Sequence, residues 1–337
     1  MSYRSDLTEA DVDRLLDKLI ALRAEIQKVI VGQHEAIEQL LTAFIAGGHC
    51  LLEGVPGLAK TLMIRTLADA VALQFRRIQF TPDLMPSDII GTEILEEDHT
   101  TGKRFFKFNK GAIFSNIVLA DEINRTPPKT QAALLEAMQE FAITQGGITY
   151  PLDRPFFVLA TQNPIEQAGT YPLPEAQLDR FLLYIKIGYP TEAEEIEVLL
   201  NTTGSKKNQV QAVIGAEDIL NLQKIVRDVL MSESLVRYVA QVVRSTRPAS
   251  SSLAFVKDWV SWGAGPRAGQ AMILTAKARA LLHGRFAVTL DDLRAMAFPV
   301  LRHRIIVNFK AEAEQITSDI VTRELLEKLP EPKSPLT

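Results

Sequence analysis

The sequence has a single cysteine, Cys50, among its 337 residues, and one cysteine cannot form an intrachain disulfide. It also lacks any run near the roughly 18 uninterrupted apolar residues that a membrane-spanning helix requires. Its first residues carry charges every few positions instead of the apolar centre of a secretory signal. These absences predict no membrane span, a reducing compartment and a cytoplasmic location.

The sequence has no excess of positive charge either. Lys and Arg number 37 against 41 Asp and Glu, which gives a net charge of −4 and a pI near 5.8. Such a chain has no general basic field for phosphate backbones, which argues against a nucleic-acid partner. The five histidines are dispersed without metal-ligand spacing, so we expect no structural metal. Cys50 itself is most simply a small buried hydrophobe.

Short apolar runs alternate with helical patterns in the first part of the chain. The runs HCLLEG, FRRIQF, SNIVLADE, FFVLATQN and FLLYIKIGYP predict buried strands of a parallel sheet covered by helices on both faces. A capping-box pattern at Thr8 and Asp11 starts an amphipathic helix before them, and only helical periods follow them. We therefore predict an N-terminal helix at 1–28, an α/β core at 29–189, an α-helical domain at 190–330 and a flexible tail at 331–337.

Two segments interrupt the alternation of strands and helices. Residues 82–110 contain Pro, Gly and acidic residues between two strands, which indicates an excursion from the core. Residues 142–158 place Gly146 and Gly147 between β-prone runs, which predicts a hairpin that Pro151 and Pro155 confine to an edge. In the first excursion, GKRFFKFNKG resembles single-strand nucleic-acid binders, although an amphipathic strand explains the same pattern.

The stretch GVPGLAKT lies between a predicted strand and an amphipathic helix. It fits the phosphate-loop pattern G-x-x-x-x-G-K-[ST] except at Ala59, where the pattern has glycine. In such a loop, backbone N–H groups face the phosphates, Lys60 reaches the β- and γ-oxygens and the Thr61 hydroxyl binds Mg²⁺. The alternative is a plain glycine turn before a helix. We expect Gly54 and Gly57 to make the sharp turns, and Ala59 to have φ below zero.

Polar residues also end two other predicted strands. Asp121 and Glu122 close an apolar strand, where one carboxylate can hold Mg²⁺ through water and the other can take a proton from an attacking water. Asn163 closes the next strand and could orient that water. Taken singly, the acidic pair is typical of a solvated turn, and Asn163 is typical of a residue that caps a turn before Pro164. Together with the loop, they would lie at the carboxyl edge of one sheet, where open α/β folds bind ligands.

The motifs GVPGLAKT, LADEINR, ATQNP, LPEAQLDRF and GPRA, in this order and spacing, resemble the MoxR family of AAA+ ATPases. VLRHRI near the end also resembles that family. The resemblance implies an AAA+ P-loop NTPase core with a parallel five-stranded sheet, followed by a small α-helical lid domain. It implies ATP and Mg²⁺ as cofactors.

The resemblance also implies roles for individual residues. In the family's pattern Glu122 is the catalytic base, Asn163 is sensor 1, Arg267 is sensor 2 on the lid, and Arg180 is the arginine finger that reaches a neighbouring subunit's nucleotide. Without the resemblance, we would predict a surface ion pair for Arg180. The residues implied to bind the nucleotide are Val31, Gly32, Gly54, Val55, Pro56, Gly57, Leu58, Ala59, Lys60, Thr61, Leu62 and Asp121, with Thr61 and Asp121 also holding Mg²⁺.

The function expected from the resemblance is ATP hydrolysis in a homo-oligomeric ring, expected to be a hexamer, that remodels, matures or activates a partner protein. The client implied is a separate chain with a von Willebrand factor A domain. Two alternatives remain open from the sequence. A nucleic-acid motor conflicts with the acidic pI, and a nucleotide-gated scaffold with little hydrolysis conflicts with the presence of Glu122, Asn163 and Arg180.

Overall fold

The computed structural model describes residues 7–97, 100, 102, 104–164, 169–203 and 209–332. A 3₁₀ turn at Ile123–Arg125 follows the third strand of the central sheet. The helices and strands of the first part are α1 (Glu9–Gln27), α2 (His34–Ala46), β1 (Cys50–Glu53), α3 (Lys60–Ala70), β2 (Phe75–Gln79), α4 (Pro86–Ile90), β3 (Gly91–Glu97), β4 (Arg104–Lys110), β5 (Ile117–Asp121), α5 (Pro128–Glu140), β6 (Ala142–Gln145), β7 (Ile148–Pro151), β8 (Phe157–Gln162), α6 (Glu175–Leu178) and β9 (Leu183–Lys186).

The first helix begins as its sequence pattern predicts. The Thr8 side chain accepts from the Asp11 backbone N–H, and the Asp11 carboxylate accepts from the Thr8 N–H, which completes a capping box. The buried face of α1 carries Val12, Leu15, Leu19, Leu22 and Ile26. These side chains belong to one apolar core that α1 shares with α2, α3 and the helices of the second part.

The central sheet contains five parallel strands in the order β2-β5-β8-β1-β9. Nearly every residue of β1, β5 and β8 is buried, because helices cover both faces of the sheet. All five predicted strands and their parallel arrangement are confirmed. Since the strands are parallel and β5, β8 and β1 are neighbours, the segments that follow these three strands meet at one edge.

Residues 82–110 contain α4 and the antiparallel hairpin β3–β4. A second hairpin, β6–β7, turns at Gly146 and Gly147, as predicted. It forms its own two-stranded sheet instead of lying at an edge of the central one, and β8 starts at Phe157, so the expected limit at residue 158 is too long. The reason is that the apolar run from Phe157 joins the central sheet. The Phe108 and Tyr150 rings stack, 4.4 Å between centroids, and link the two hairpins.

The second part is mainly helical, as its sequence period predicts. The prediction that it has no strands was wrong, because two short segments pair antiparallel; they are too short to show an alternating pattern. Residues 333–337 of the expected tail lie outside the described residues. The elements are α7 (Glu192–Thr203), α8 (Ala216–Asp228), α9 (Glu233–Ser245), α10 (Ala254–Trp259), β10 (Val260–Trp262), α11 (Pro266–Leu282), α12 (Leu290–Leu301), β11 (Ile306–Val307), α13 (Phe309–Ala313) and α14 (Ser318–Lys328).

An ion-pair network joins the two parts. Arg279 on α11 donates to Glu38 on α2 at 2.7 Å and to the buried Asp292 of α12 at 2.7 Å. Arg285 donates to both Asp292 oxygens at 2.6 Å. The pKa of Asp292 is held at about 2 by hydrogen bonds from Arg285, Thr289 and Arg279, which outweigh the effect of burial. The helical part is thus fixed to α2 by charge as well as by apolar contact.

Candidate functional site

The connection between β1 and α3 is a tight loop at the carboxyl edge of the sheet. Its residues are Gly54, Val55, Pro56, Gly57, Leu58 and Ala59, and α3 opens with Lys60, Thr61 and Leu62. A Cβ on Gly54 would lie 3.2 Å from atoms of Ile187, and Gly57 has φ +89°. Close approach to Ile187 therefore favours glycine at Gly54, where a side chain would require a small shift of the neighbour, and the left-handed conformation favours glycine at Gly57. The Lys60 Nζ donates to the Gly54 carbonyl at 2.6 Å, so the lysine lies across the loop.

Ala59 adopts a left-handed conformation, with φ 54° and ψ 23°, as the N-cap of α3. The expectation of a φ below zero was wrong. The loop must reverse direction before it enters the helix, and the reversal falls on Ala59 as well as on Gly57. For a residue with a Cβ, the left-handed region costs about 1–2 kcal/mol relative to the right-handed one. Alanine at this position is thus a strained choice.

We expect Ala59→Gly to raise the free energy of unfolding by up to about 1 kcal/mol, because relief of the left-handed strain outweighs the greater freedom of glycine in the unfolded chain. Nucleotide affinity should stay nearly unchanged, since the glycine keeps the loop's conformation. Urea unfolding and nucleotide titration measure the two effects. The control is Ala240→Gly on the exposed face of α9, which should lower stability by about 1 kcal/mol. If Ala59→Gly and Ala240→Gly lost equal amounts of stability, Ala59 would not be strained.

Asp121 ends β5 and is buried, and Thr161 on the neighbouring β8 holds it in place. The Thr161 hydroxyl donates to Asp121 Oδ1 at 2.6 Å and accepts from the Glu122 backbone N–H at 2.8 Å. Arg77 on β2 donates to Asp121 Oδ2 through Nη2 at 2.7 Å and Nε at 3.0 Å. A guanidinium therefore sits on one oxygen of the carboxylate that is predicted to hold Mg²⁺.

Glu122 follows directly, in a left-handed conformation with φ 57° that turns its side chain away from the strand. Gln79 Nε2 donates to Glu122 Oε2 at 2.8 Å, and Arg125 Nε lies 3.3 Å from the same oxygen. Gln79 also accepts from Arg77 at 2.6 Å, so residues of β2 connect both carboxylates. A carboxylate held this way at the edge of the site can accept a proton from a water beside it.

Sequence reasoning missed Arg77, Gln79 and Thr161. The signal was present in FRRIQF, where residues two apart point to the same face of a sheet, so that the polar side chains of Arg77 and Gln79 share one face. Thr161 lies two residues before the predicted Asn163 and could have been found in the same motif. Asn163 follows β8 directly and is buried, so it lies at the same edge of the sheet as the end of β5 and the loop.

Val31 and Gly32 lie in the turn before α2. Gly32 has φ +64°, and a Cβ there would lie 2.4 Å from the Glu194 carboxylate of α7. Gln33 Nε2 donates to the carbonyl of Gly188 at 3.0 Å. The turn therefore contacts the connection that leads from the sheet into the helical part.

Arg180 and Arg267 lie at the opposite, amino edge of the sheet. Arg180 precedes β9, and both arginines line one cavity of about 290 Å³. Arg267 occupies the first turn of α11 behind Pro266, as predicted, and its Nη1 lies 3.6 Å from Asp179 Oδ2. In the described part of the chain, the Arg180 side chain has no ion pair, so the surface ion pair considered from the sequence is not observed. The structure brings these two arginines together and separates them from the loop between β1 and α3 of the same chain.

The oxygen donors available at the carboxyl edge fit a hard divalent cation. Mg²⁺ prefers oxygen ligands and keeps several waters, and Thr61 at the start of α3 and Asp121 at the end of β5 offer a hydroxyl and a carboxylate at this edge. Among the residues described, no cluster of three or more His, Cys, Asp or Glu side chains could hold a metal alone. Cys50 is buried, and burial raises the pKa of its thiol. No helix in the described ranges is both long and apolar enough to cross a membrane.

Comparisons with known proteins identify the family. A model of the ATPase family associated with various cellular activities (AAA) matches residues 49–183, and a model of the AAA lid domain matches residues 254–325. The chaperone MoxR1 of Mycobacterium tuberculosis is 44% identical over 310 residues, which are 92% of this chain and 81% of that protein. This chain belongs to the MoxR family of AAA+ ATPases. The family predicted from the motifs is confirmed.

Other relatives match the MoxR-family chain over nearly its whole length. An uncharacterised protein of Bacillus subtilis, YeaC, is 43% identical over 97% of this chain and 96% of its own length. MoxR of Methylorubrum extorquens is 29% identical over 94% of this chain and 96% of its own length. A crystal structure of a Cytophaga hutchinsonii protein, assigned provisionally as an ATPase, is 44% identical and covers 96% of this chain with a TM-score of 0.88. The predicted AAA+ core and helical lid of this MoxR-family fold are thereby confirmed.

Proposed function

We propose that this MoxR-family chain binds ATP with Mg²⁺ at the carboxyl edge of its sheet and hydrolyses it. The observation that carries the proposal is the convergence of three neighbouring strand ends, where β1 leads into the glycine loop, β5 ends in Asp121 and Glu122, and β8 leads into Asn163. Backbone N–H groups at the start of α3 face the same edge and suit an anionic phosphate. A loop for phosphates and an adjacent pair of carboxylates together provide what phosphoryl transfer to water requires.

Each residue then has a distinct role in hydrolysis. Lys60 moves from the Gly54 carbonyl to the β- and γ-phosphate oxygens, and Glu122 accepts the proton of the attacking water while Asn163 orients that water. Thr61 and Asp121 would hold Mg²⁺, which when bound neutralises phosphate charge. Arg77 must release Asp121 Oδ2 for this, or remain beside it as a second cation. Val31 and Gly32 contact the adenine side of the nucleotide.

Arg180 and Arg267 act on the nucleotide of a neighbouring subunit. Strands rise about 3.3 Å per residue, so the two edges of a sheet of four- to six-residue strands lie roughly 13–20 Å apart. An arginine at the amino edge is too far from its own loop to touch a phosphate there. Stacking subunits edge to edge would bring Arg180 and Arg267 to the next subunit's loop, and this arrangement supports a homo-oligomeric ring, for which we propose a hexamer.

The ring's purpose in this proposal is to remodel a client protein. The hairpins β3–β4 and β6–β7 project apolar side chains into solvent: Leu95, Phe105, Phe106 and Ile148 are all exposed, and Phe106 is 72% exposed. Exposed apolar groups of this kind suit contact with another protein. We propose a client with a von Willebrand factor A domain, and the net charge of −4 argues against nucleic acid as the client.

The proposal predicts that Lys60→Ala weakens ATP binding at least about 10-fold, because a charge-assisted contact to phosphate is lost. The measurement is titration with a fluorescent ATP analogue, together with phosphate release in the presence and absence of Mg²⁺. Lys129→Ala on the exposed side of α5 is the control and should bind and hydrolyse as wild type. Unchanged affinity in Lys60→Ala would refute a nucleotide site at this loop.

A further inference from the structure

We propose that Asp179 and Arg304 are positioning residues that present Arg180 and Arg267 as one unit to the phosphates of the neighbouring subunit. This inference rests on the proposed function, because it assumes that Arg180 acts across a subunit interface. It concerns a lid residue, Arg304, whose role the motif resemblance leaves open.

All five N–H donors of Arg304 are engaged, and its side chain is only 5% exposed. Its Nε donates to Asp179 Oδ1 at 2.7 Å, and its Nη2 donates to the carbonyls of Phe181 at 2.8 Å and Asp179 at 3.4 Å. The two remaining bonds go to the carbonyls of Leu182 and Val300. Arg304 therefore binds the backbone on both sides of Arg180 and fixes the backbone from which the Arg180 side chain extends.

The neighbours of Arg304 in the VLRHRI motif hold the same strand. Strand β9 lies at the edge of the sheet, so carbonyls along its outer side have no strand partner. Arg302 donates to the carbonyl of Tyr184 at 2.5 Å and His303 to that of Phe181 at 3.1 Å. Burial, together with the charge of Arg304, lowers the pKa of His303, so the neutral ring donates through Nε2. The lid is thereby bonded to β9 and to the turn that precedes it.

Asp179 joins Arg304 and Arg267, two of the three arginines that line the cavity. One carboxylate oxygen accepts from Arg304, and the other lies 3.6 Å from Arg267 Nη1. The lid thus supplies both Arg267 and the side chain that fixes Arg180. A rotation of the lid relative to the sheet would move Arg267 away from Arg180 unless the contacts of Asp179 with Arg304 and Arg267 held, so these contacts keep the two cations in one arrangement. Because Asp179 faces Arg267 and Arg304, Arg180 keeps its charge free for an incoming anion.

The test is the Asp179→Asn variant of the full chain, which keeps the shape but removes the shared charge. We expect ATP binding and assembly like wild type, and hydrolysis slower by on the order of 100-fold, the effect typical of a misplaced reacting group. Mixed with Glu122→Gln protein, it should regain activity, because its intact base then meets the neighbour's intact finger. A defect confined to its own nucleotide site would not be rescued in this way.

Asp319→Asn is the matched control, because Asp319 pairs with Arg302 at 2.9 Å beside the same strand but does not touch the turn that carries Arg180. It should hydrolyse ATP at close to the wild-type rate. The positioning role would be overturned if Asp179→Asn hydrolysed ATP as fast as Asp319→Asn. It would also be overturned if Asp179→Asn hydrolysed ATP slowly and its mixtures with Glu122→Gln regained no activity. If Asp179→Asn does not assemble, Arg304→Lys is tested in the same way, because it keeps the charge but loses the several N–H donors of the guanidinium. The same two results would then overturn the positioning role. If Arg180→Ala hydrolysed ATP at the wild-type rate, the proposed function of Arg180 would be overturned as well. If Arg180→Ala hydrolysed ATP slowly and Asp179→Asn hydrolysed it at the wild-type rate, only the positioning role would be refuted.

Discussion

Glu122→Gln should bind ATP as tightly as wild type and hydrolyse it about 10²–10⁴-fold more slowly, the usual contribution of a general base. The amide cannot accept the proton of the attacking water, while the loop and Asp121 are untouched. Gln79 and Arg125 both contact the Glu122 carboxylate, and a glutamine side chain has the same shape there, so the fold should be retained. Phosphate release under single-turnover conditions, with separate ATP titration, distinguishes the lost chemistry from lost binding.

A matched substitution separates the role of Glu122 from a general effect of removing charge near the site. Glu136 lies on the exposed side of α5, and Glu136→Gln should hydrolyse ATP at the wild-type rate. Because slow hydrolysis keeps ATP bound, Glu122→Gln should also prolong the ATP-dependent oligomer, which sedimentation in the presence of ATP and Mg²⁺ would show. A Glu122→Gln protein that turns over ATP as fast as Glu136→Gln would rule out Glu122 as the base.

Much of the fold could be predicted because the signals are local. A strand buried on both faces needs apolar residues at nearly every position, and β5 and β8 show this directly in NIVLAD and FFVLA. The capping box at Thr8 and the glycine turn of β6–β7 likewise depend on a few adjacent residues. Parallel pairing then places all strand ends at one edge, so the convergence of Asp121 with the loop followed from topology.

The contacts that depend on distant residues could not be predicted. Arg77 lies on the sheet's outer strand, and its bond to Asp121 depends on the register between β2 and β5, which no local pattern specifies. The place of Arg267 beside Arg180 depends on how the lid packs against β9. Ala59 shows a different limit, since alanine favours helix and the closure of the loop overrides that preference. Local preference fails where the loop between β1 and α3 must turn.

Arg180→Ala should bind ATP normally and lose about 10³–10⁵-fold in hydrolysis, which is the contribution of an arginine finger to phosphoryl transfer. The cationic side chain stabilises charge that develops on the transferred phosphoryl group, and the structure offers no ion pair to Arg180 within the described residues. Arg237→Ala is the control, because Arg237 forms an exposed i,i+4 pair with Glu233 of the kind that contributes little to stability. It should behave as wild type in rate and assembly.

The position of Arg180 at the amino edge makes the mixing experiment decisive for its action across subunits. Arg180→Ala protein keeps its base but supplies no finger, and Glu122→Gln protein keeps its finger but has no base. Neither should hydrolyse ATP alone at a substantial rate, yet a mixture forms interfaces at which an intact base meets an intact finger. Mixed oligomers should therefore be more active than either variant, with a maximum near equal proportions. Assembled mixtures without any gain would show that Arg180 does not complete the neighbour's site, because geometry excludes its own loop as the alternative target.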